Sequence, residues 1–330
     1  MTLRRDDKAP RRRAAGRAGL VLLVLGLVSG LVACGSGDDT EAGAGVTITH
    51  NFGETTVSGT PERVVTLGSQ WLDATQAMGI TPVAYADSVA MGGKSQLPWT
   101  PPELEKATVL KMGGDMAEQI AGVEPDLILV PSFLVDQPMY EKLSQIAPTI
   151  GAVTPNAQVD KWSDQLTVLG KVLHQQDKAT EVIAGVNGKI DAVSQKYPNL
   201  KGKTFLTCML TGPAQLMVLA DQNDGSSEMF TRLGMSIPAN ITSQASAGGR
   251  LALSPERLNE LTSDTLICGA MPQFEAKFKE LPGYNDLPAV RSGGIAFVDT
   301  KTISAVNTPT PLSIPYLLET LDPTFAAVGR

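Results

Sequence analysis

The chain has 330 residues and a formal net charge of -7, from 27 Lys and Arg against 34 Asp and Glu; 42% of it is apolar and 5% aromatic. That is enough to build one large or two ordinary domains with proper cores, which excludes a disordered or fibrous chain. The acidic balance argues against a nucleic-acid partner, which needs a basic face, while two His and three Cys are too few for a His-rich metal cage or a disulfide scaffold.

The charge is unevenly spread. Residues 1–33 carry seven basic residues (Arg4, Arg5, Lys8, Arg11, Arg12, Arg13, Arg17) against Asp6 and Asp7, so the remainder holds 20 basic and 32 acidic residues, net -12. An apolar run from Leu20 to Ala33 follows; at about 14 residues it is shorter than the roughly 20 a bilayer span needs, so 1–33 reads as a secretory signal. Leu31-Val32-Ala33-Cys34 resembles the bacterial lipobox, which predicts acylation of Cys34 after cleavage before it. Residues 34–45, rich in Gly, Ser and Asp, read as a flexible tether. Two or three acyl chains anchor stably where one would not, so the mature body is expected lipid-anchored on the outer face of the cytoplasmic membrane.

Beyond the tether, Val46 to His50 and Thr55 to Val57 alternate like two short strands around turn residues. Arg63 to Leu67 reads as a buried strand, Trp71 to Met78 as a helix ending at Gly79, and Pro82 to Tyr85 as a second strand. Residues 87–108 read as a long loop. A helix from Met116 to Val123, a strand from Asp126 to Val130, a helix from Met139 to Ile146 and a strand from Thr149 to Val153 follow. Trp162, Leu166, Leu169 and Leu173 mark one amphipathic helix; Ile183, Val186, Ile190, Val193 and Tyr197 mark a second, running from Asp177 to Tyr197. Its Gly185 and Gly188 weaken it in isolation. The alternation restarts with a strand from Thr204 to Leu210, a helix from Ser227 to Leu233, strands Thr265 to Cys268 and Ile295 to Val298, and a helix near Ile314 to Leu321. Such alternation predicts α/β lobes with parallel sheets, 46–175 and 201–330, joined by one long helix within 176–200.

An internal repeat supports two related lobes. Glu118 to Leu129 aligns without gaps on Glu256 to Ile267: Glu recurs first, apolar residues at plus two and plus five, and Asp (Asp126, Asp264) at plus eight before a strand. Asp115 and Ser254 are positioned to cap the two helices, and Glu118 and Glu256 sit in first turns, where carboxylates suit the helix dipole.

Enzyme signatures are missing: there is no G-x-S-x-G elbow, phosphate loop, dinucleotide fingerprint or H-E-x-x-H. His50 falls in a strand and His174 on a helix, neither beside a nucleophile. Cys208 and Cys268 fall in predicted strands, either as small buried apolar residues or, if those strands are adjacent, as a disulfide. Ligands of open α/β sheets sit beyond the strands' carboxyl ends. Those positions, with the long loop, supply Trp71, Tyr85, Trp99, Phe133 and Met209 as candidate ligand contacts. Lys111 and Arg250 are candidate cationic donors in a body short of positive charge.

The order and spacing of Pro61-Glu-Arg-Val-Val-Thr-Leu67, Leu72-Asp73, Met78-Gly-Ile-Thr-Pro-Val83, Pro125-Asp126-Leu127-Ile128, Tyr140 to Ile150 and Leu287-Pro-Ala-Val290 before Ala296-Phe-Val298 resemble the iron–siderophore substrate-binding proteins of ABC importers. Ile48-Thr-His-Asn-Phe-Gly53 is similar to their actinobacterial lipoprotein branch. The resemblance covers most of residues 46–325. It implies two α/β lobes on a long helix (a class III periplasmic-binding-protein-like fold) with ligand held between lobes that move little on closure. It also implies no catalysis, no cofactor and no directly bound metal. The ligand it implies is an Fe(III)-siderophore chelate, with haem or cobalamin as alternatives; from another class, a lipid-anchored α/β hydrolase is a remote alternative, for which the sequence shows no nucleophile–base pair. The implied partner is an ABC permease dimer with its ATPase, engaged through Glu118 and Glu256 by a monomeric binding protein.

Overall fold

The computed structural model describes residues 45–87, 96–111, 114–212, 215–246, 248–270 and 272–330. The expected signal peptide, Cys34 and all but the last residue of the expected tether lie outside the described residues.

The body opens with an antiparallel hairpin, β1 (Val46–His50) and β2 (Gly53–Val57), Val46 opposite Val57. Next come β3 (Val64–Leu67), α1 (Ser69–Ala77), β4 (Ala84–Ala86), β5 (Thr108–Val109), α2 (Met116–Ala121), β6 (Leu127–Leu129), α3 (Gln137–Ser144) and β7 (Thr149–Ile150). These five strands form a parallel sheet in the order β5-β4-β3-β6-β7. Every residue of β3 and β6 is buried, as expected of parallel strands covered on both faces. The stretch expected to be a plain loop, 87–108, holds a 3-10 helix at Pro102–Lys106 and leads into β5; a two-residue strand leaves no periodicity to detect.

α4 (Trp162–Val172) and α5 (Gln176–Lys196) carry the chain to the second lobe. His174, expected on a helix, instead makes the turn between them with φ 53°. α5 buries Ala179, Val186 and Ile190, while Gly185 and Gly188 face open space. None of the described helices is long and apolar enough to cross a membrane.

The second lobe contains β8 (Phe205–Gly212), β9 (Gln215–Leu219), α6 (Glu228–Arg232), α7 (Ala239–Thr242), β10 (Arg250–Leu253), β11 (Thr265–Gly269), α8 (Pro272–Lys279), α9 (Pro288–Ser292), β12 (Ile295–Val298), α10 (Thr300–Asn307), α11 (Ser313–Thr320) and α12 (Asp322–Gly329). Its sheet order is β10-β9-β8-β11-β12, the same arrangement in chain order as the first sheet. β8, β11 and β12 are parallel, and β9 runs antiparallel to β8 and β10. The extra hairpin escaped the sequence reading because no Asn-Gly or Asp-Gly pair separates β8 from β9 in the sequence. Met209, expected beyond a strand, therefore lies within β8.

Cys208 and Cys268 are register partners on β8 and β11 and form a disulfide, with Cα atoms 4.5 Å apart. One hydrophobic core runs from Val64, Trp71 and Leu127 through Trp162, Leu166 and Ile190 to Phe205, Leu266 and Phe325, so α4 and α5 weld the lobes together.

Candidate functional site

β3 ends at Leu67, and the chain turns at Gly68, whose φ is 81° and where a Cβ would lie 3.1 Å from Pro131. α1 begins there with Ser69, Gln70 and Trp71, all buried. Trp71, expected at the ligand, is a core residue: α1 packs under α4, and the indole N–H donates to the Val130 carbonyl at 3.2 Å. Ser69 and Gln70 face the other lobe. The Ser69 and Thr308 hydroxyls lie 3.5 Å apart, and Gln70 Nε2 donates to the carbonyls of Pro309 (3.0 Å) and Asp160 (3.1 Å). One turn on, Asp73 Oδ2 accepts from Thr310 Oγ1 at 2.6 Å and from Trp99 Nε1 at 2.9 Å. The Trp99 ring, half-buried, lies 5.2 Å from that of Tyr316 on α11. Trp99 thus has a partner on each lobe.

A second set of contacts joins residues 153–165 to the loop after β9. Asp160 accepts the backbone N–H groups of Val153 (2.9 Å) and Thr154 (2.8 Å). Beside it Gly225 N–H donates to the Val159 carbonyl at 2.9 Å, so close that a Cβ on Gly225 would stand 1.9 Å from the Asp160 oxygen. Fully buried Asp224 accepts from Val159 N–H at 3.1 Å and from the Ser226 hydroxyl. The Arg250 guanidinium, 22% exposed, donates to Ser226 Oγ at 2.9 Å and lies 3.4 Å from Asp224. Expected to meet ligand, it pairs here with a buried carboxylate of its own lobe. Glu228 accepts from the Ser163 hydroxyl in the first turn of α4, where the helix dipole favours an anion.

Carboxylates in a dry seam resist ionisation. Burial pushes Asp73 up to about 7, against the lowering by Thr310 and Trp99, and the charge of Asp87 adds to the rise. Burial likewise pushes Glu228 up to about 7, against the Ser163 hydrogen bond, and raises Asp160. These acids were missed as functional residues. Asp73 is the one charged residue in the Ser69–Ala77 helix, but the burial of that helix's first seven residues shows only in the fold.

The other expected ligand contacts fall into separate places. Tyr85 is buried on β4 and lines a cavity of ≈ 220 Å³ with Leu97, Thr100 and Glu105, below the roughly 300 to 1,000 Å³ of ligand pockets. Lys111 is exposed just beyond β5, its backbone paired with the Gln119 side chain (2.8 and 3.0 Å), which fixes the approach to α2. Phe133, beyond β6, is 40% exposed and is the exposed large apolar side chain among the described residues. Met209 is half-buried in β8. Lys111 and Phe133 thus remain at solvent beyond strand ends, whereas Trp99 and Arg250 belong to the seam. Among the described residues no cluster of His, Cys, Asp and Glu could hold a metal ion.

Glu118 and Glu256 are both exposed, each just before the strand that occupies the fourth place in its sheet, β6 or β11. Asp115 Oδ1 accepts from Glu118 N–H at 3.1 Å and caps α2. The second element is a 3-10 helix, Pro255–Glu260, and Ser254 does not cap it: its hydroxyl bonds the Glu256 carboxylate and holds that group below the usual range.

Residues 64–302 match the model of a family described as periplasmic binding protein. The Fe(3+)-citrate-binding protein YfmC of Bacillus subtilis is 28% identical over 283 residues, 85% of this chain and 86% of the relative. Among solved structures, a periplasmic solute-binding protein of Mycobacterium smegmatis superposes with TM-score 0.72 at 26% identity, covering 87% of this chain and 99% of that one. The Streptococcus pneumoniae protein PiaA, crystallised with ferrichrome, does so with TM-score 0.72 at 24% identity, over 86% and 98%.

Proposed function

Since the chain belongs to the periplasmic binding protein family, we propose that it is an extracytoplasmic binding lipoprotein that captures a ferric siderophore or a related ferric chelate and delivers it to an ABC importer. The observation that carries this reading is the shared strand order of the two lobes, which places exposed Glu118 and Glu256 before equivalent strands, as a docking pair needs. The ligand class follows the relatives, one named for ferric citrate and one crystallised with ferrichrome. Exposed Phe133 and Lys111, an apolar face and a cation beyond strand ends of the first lobe, suit a bulky chelate with an anionic or polar rim. The protein acts without catalysis, as a monomer, held through Cys34 on the outer face of the membrane.

The test is quenching of tryptophan fluorescence by ferric citrate, ferrichrome, haemin and cobalamin at micromolar concentrations. Saturable quenching by a ferric chelate supports the reading. Binding of haemin or cobalamin alone transfers the protein to the alternative ligand class, and no binding by any of the four overturns it.

A further inference from the structure

We propose that Asp73 is a clasp between the lobes: from the first turns of α1 it grips Trp99 of its own lobe and Thr310 of the other, and so fixes the two lobes against each other. The three seam residues of α1 meet three consecutive residues of the second lobe in order, Ser69 with Thr308, Gln70 with Pro309 and Asp73 with Thr310. Asp73 is the keystone because the bonds continue past it on both sides. Thr310 Oγ1, while donating to Asp73, accepts the N–H of Ser313 at 2.9 Å, and Thr310 N–H donates to Ser313 Oγ at 3.0 Å, a reciprocal pair that starts α11. On the other side the Trp99 indole reaches Tyr316 on that same helix. One carboxyl oxygen therefore ties the loop after β4, helix α1 and the start of α11 into a closed circuit in which Asp73, Thr310 and Ser313 are buried from water, where a chain of hydrogen bonds is strong and a broken one is costly.

The proposal does not depend on which ligand the cleft takes, and its test uses the full chain, purified in detergent, with no ligand added. Hydrogen exchange is followed in the wild type, Asp73→Ala and Asp73→Asn. We expect Asp73→Ala to speed exchange tenfold or more in residues 308–313 and 96–101 and to shift tryptophan emission to the red, because Trp99 is the half-buried indole while Trp71 and Trp162 are sealed in the core. The disulfide-linked strands β8 and β11 should exchange as before. Asp73→Asn, which keeps an oxygen acceptor for both donors, should restore most of the protection. Exchange in Asp73→Ala equal to wild type overturns the clasp, as does a uniform rise across both sheets, which would make Asp73 a folding residue only.

Discussion

Asp126 and Asp264 stand at the same point of the two sheets and do the same work. The Asp126 carboxylate accepts the backbone N–H groups of Glu62 (2.7 Å) and Arg63 (2.8 Å) at the entry to β3; the Asp264 carboxylate accepts the N–H and hydroxyl of Thr204, both at 2.8 Å, at the entry to β8. Each acid precedes the fourth strand of its sheet and satisfies donors at the start of the third. Replacing either by Ala leaves those donors without their acceptor, at a cost of about 1 to 3 kcal/mol. Thermal denaturation of Asp126→Ala and Asp264→Ala should each show a fall of a few degrees; an unchanged midpoint in both would remove the common role.

That pair also shows what a single sequence can reveal. The repeat was visible because a helix start, two apolar positions and an Asp occur at fixed offsets, all consequences of local geometry. The long helix was visible for the same reason, since Val186, Ile190 and Tyr197 follow its period. The seam was not visible. Asp73 and Thr310 are 237 positions apart, and nothing local distinguishes an acid that bonds across a seam from one that faces water. Trp71 misled by residue type: an aromatic beside a strand end suggests ligand, yet the core and the Val130 carbonyl claim it. The hairpin to β9 went unseen because its turn lacks the Asn-Gly or Asp-Gly signature.

Gly185 and Gly188 lie on the exposed face of α5, and a Cβ at either would meet nothing within 4 Å. Alanine there restricts the unfolded chain without a clash in the folded one, which is worth about 0.4 to 1 kcal/mol per site. Gly185→Ala and Gly188→Ala should each raise the denaturation midpoint and act additively in the double variant. A decrease in either would mean that the flank of the helix is covered in solution.

The Cys208–Cys268 bridge links neighbouring strands across 60 residues of chain, and both cysteines are buried. Loss of such a link typically costs about 2 to 5 kcal/mol. The double variant Cys208→Ala/Cys268→Ala should unfold at lower denaturant concentration than the wild type, and dithiothreitol should lower the wild type toward it while leaving the variant unmoved. Equal midpoints under oxidising conditions would show that the bridge contributes nothing to stability.

Asp73 and Glu228 have carboxyls pushed up to about 7 by burial, from ordinary values of 3.8 and 4.5. The folded protein therefore binds protons that the unfolded chain has released. The associated stability is fully present below about pH 4 and is lost as pH rises toward 7, at up to roughly 1.4 kcal/mol per pH unit for each group. His50, whose pKa burial lowers, acts in the opposite direction as pH falls, so the informative quantity is the difference between variant and wild type. Between pH 5 and 7.5 the stability of the wild type should decline more steeply than that of Asp73→Asn or Glu228→Gln, neither of which titrates. Parallel profiles would place the two carboxyls in the ordinary range and remove the linkage.

Under the proposed function, Glu118 and Glu256 separate binding from delivery. Both are exposed, neither is part of the seam, and the Ser254 hydroxyl holds the Glu256 carboxyl below its usual range. Reversing one charge removes an attraction and adds a repulsion against a basic pocket on a partner, an effect of several kcal/mol where water is excluded. The double variant Glu118→Lys/Glu256→Lys should bind its ferric chelate with unchanged affinity by fluorescence titration, while uptake of labelled iron by cells falls to background. Each single variant should fall in between, because one lobe stays docked. Loss of affinity in the double variant would place these side chains at the ligand or in the fold, and normal uptake would mean that the permease engages another surface.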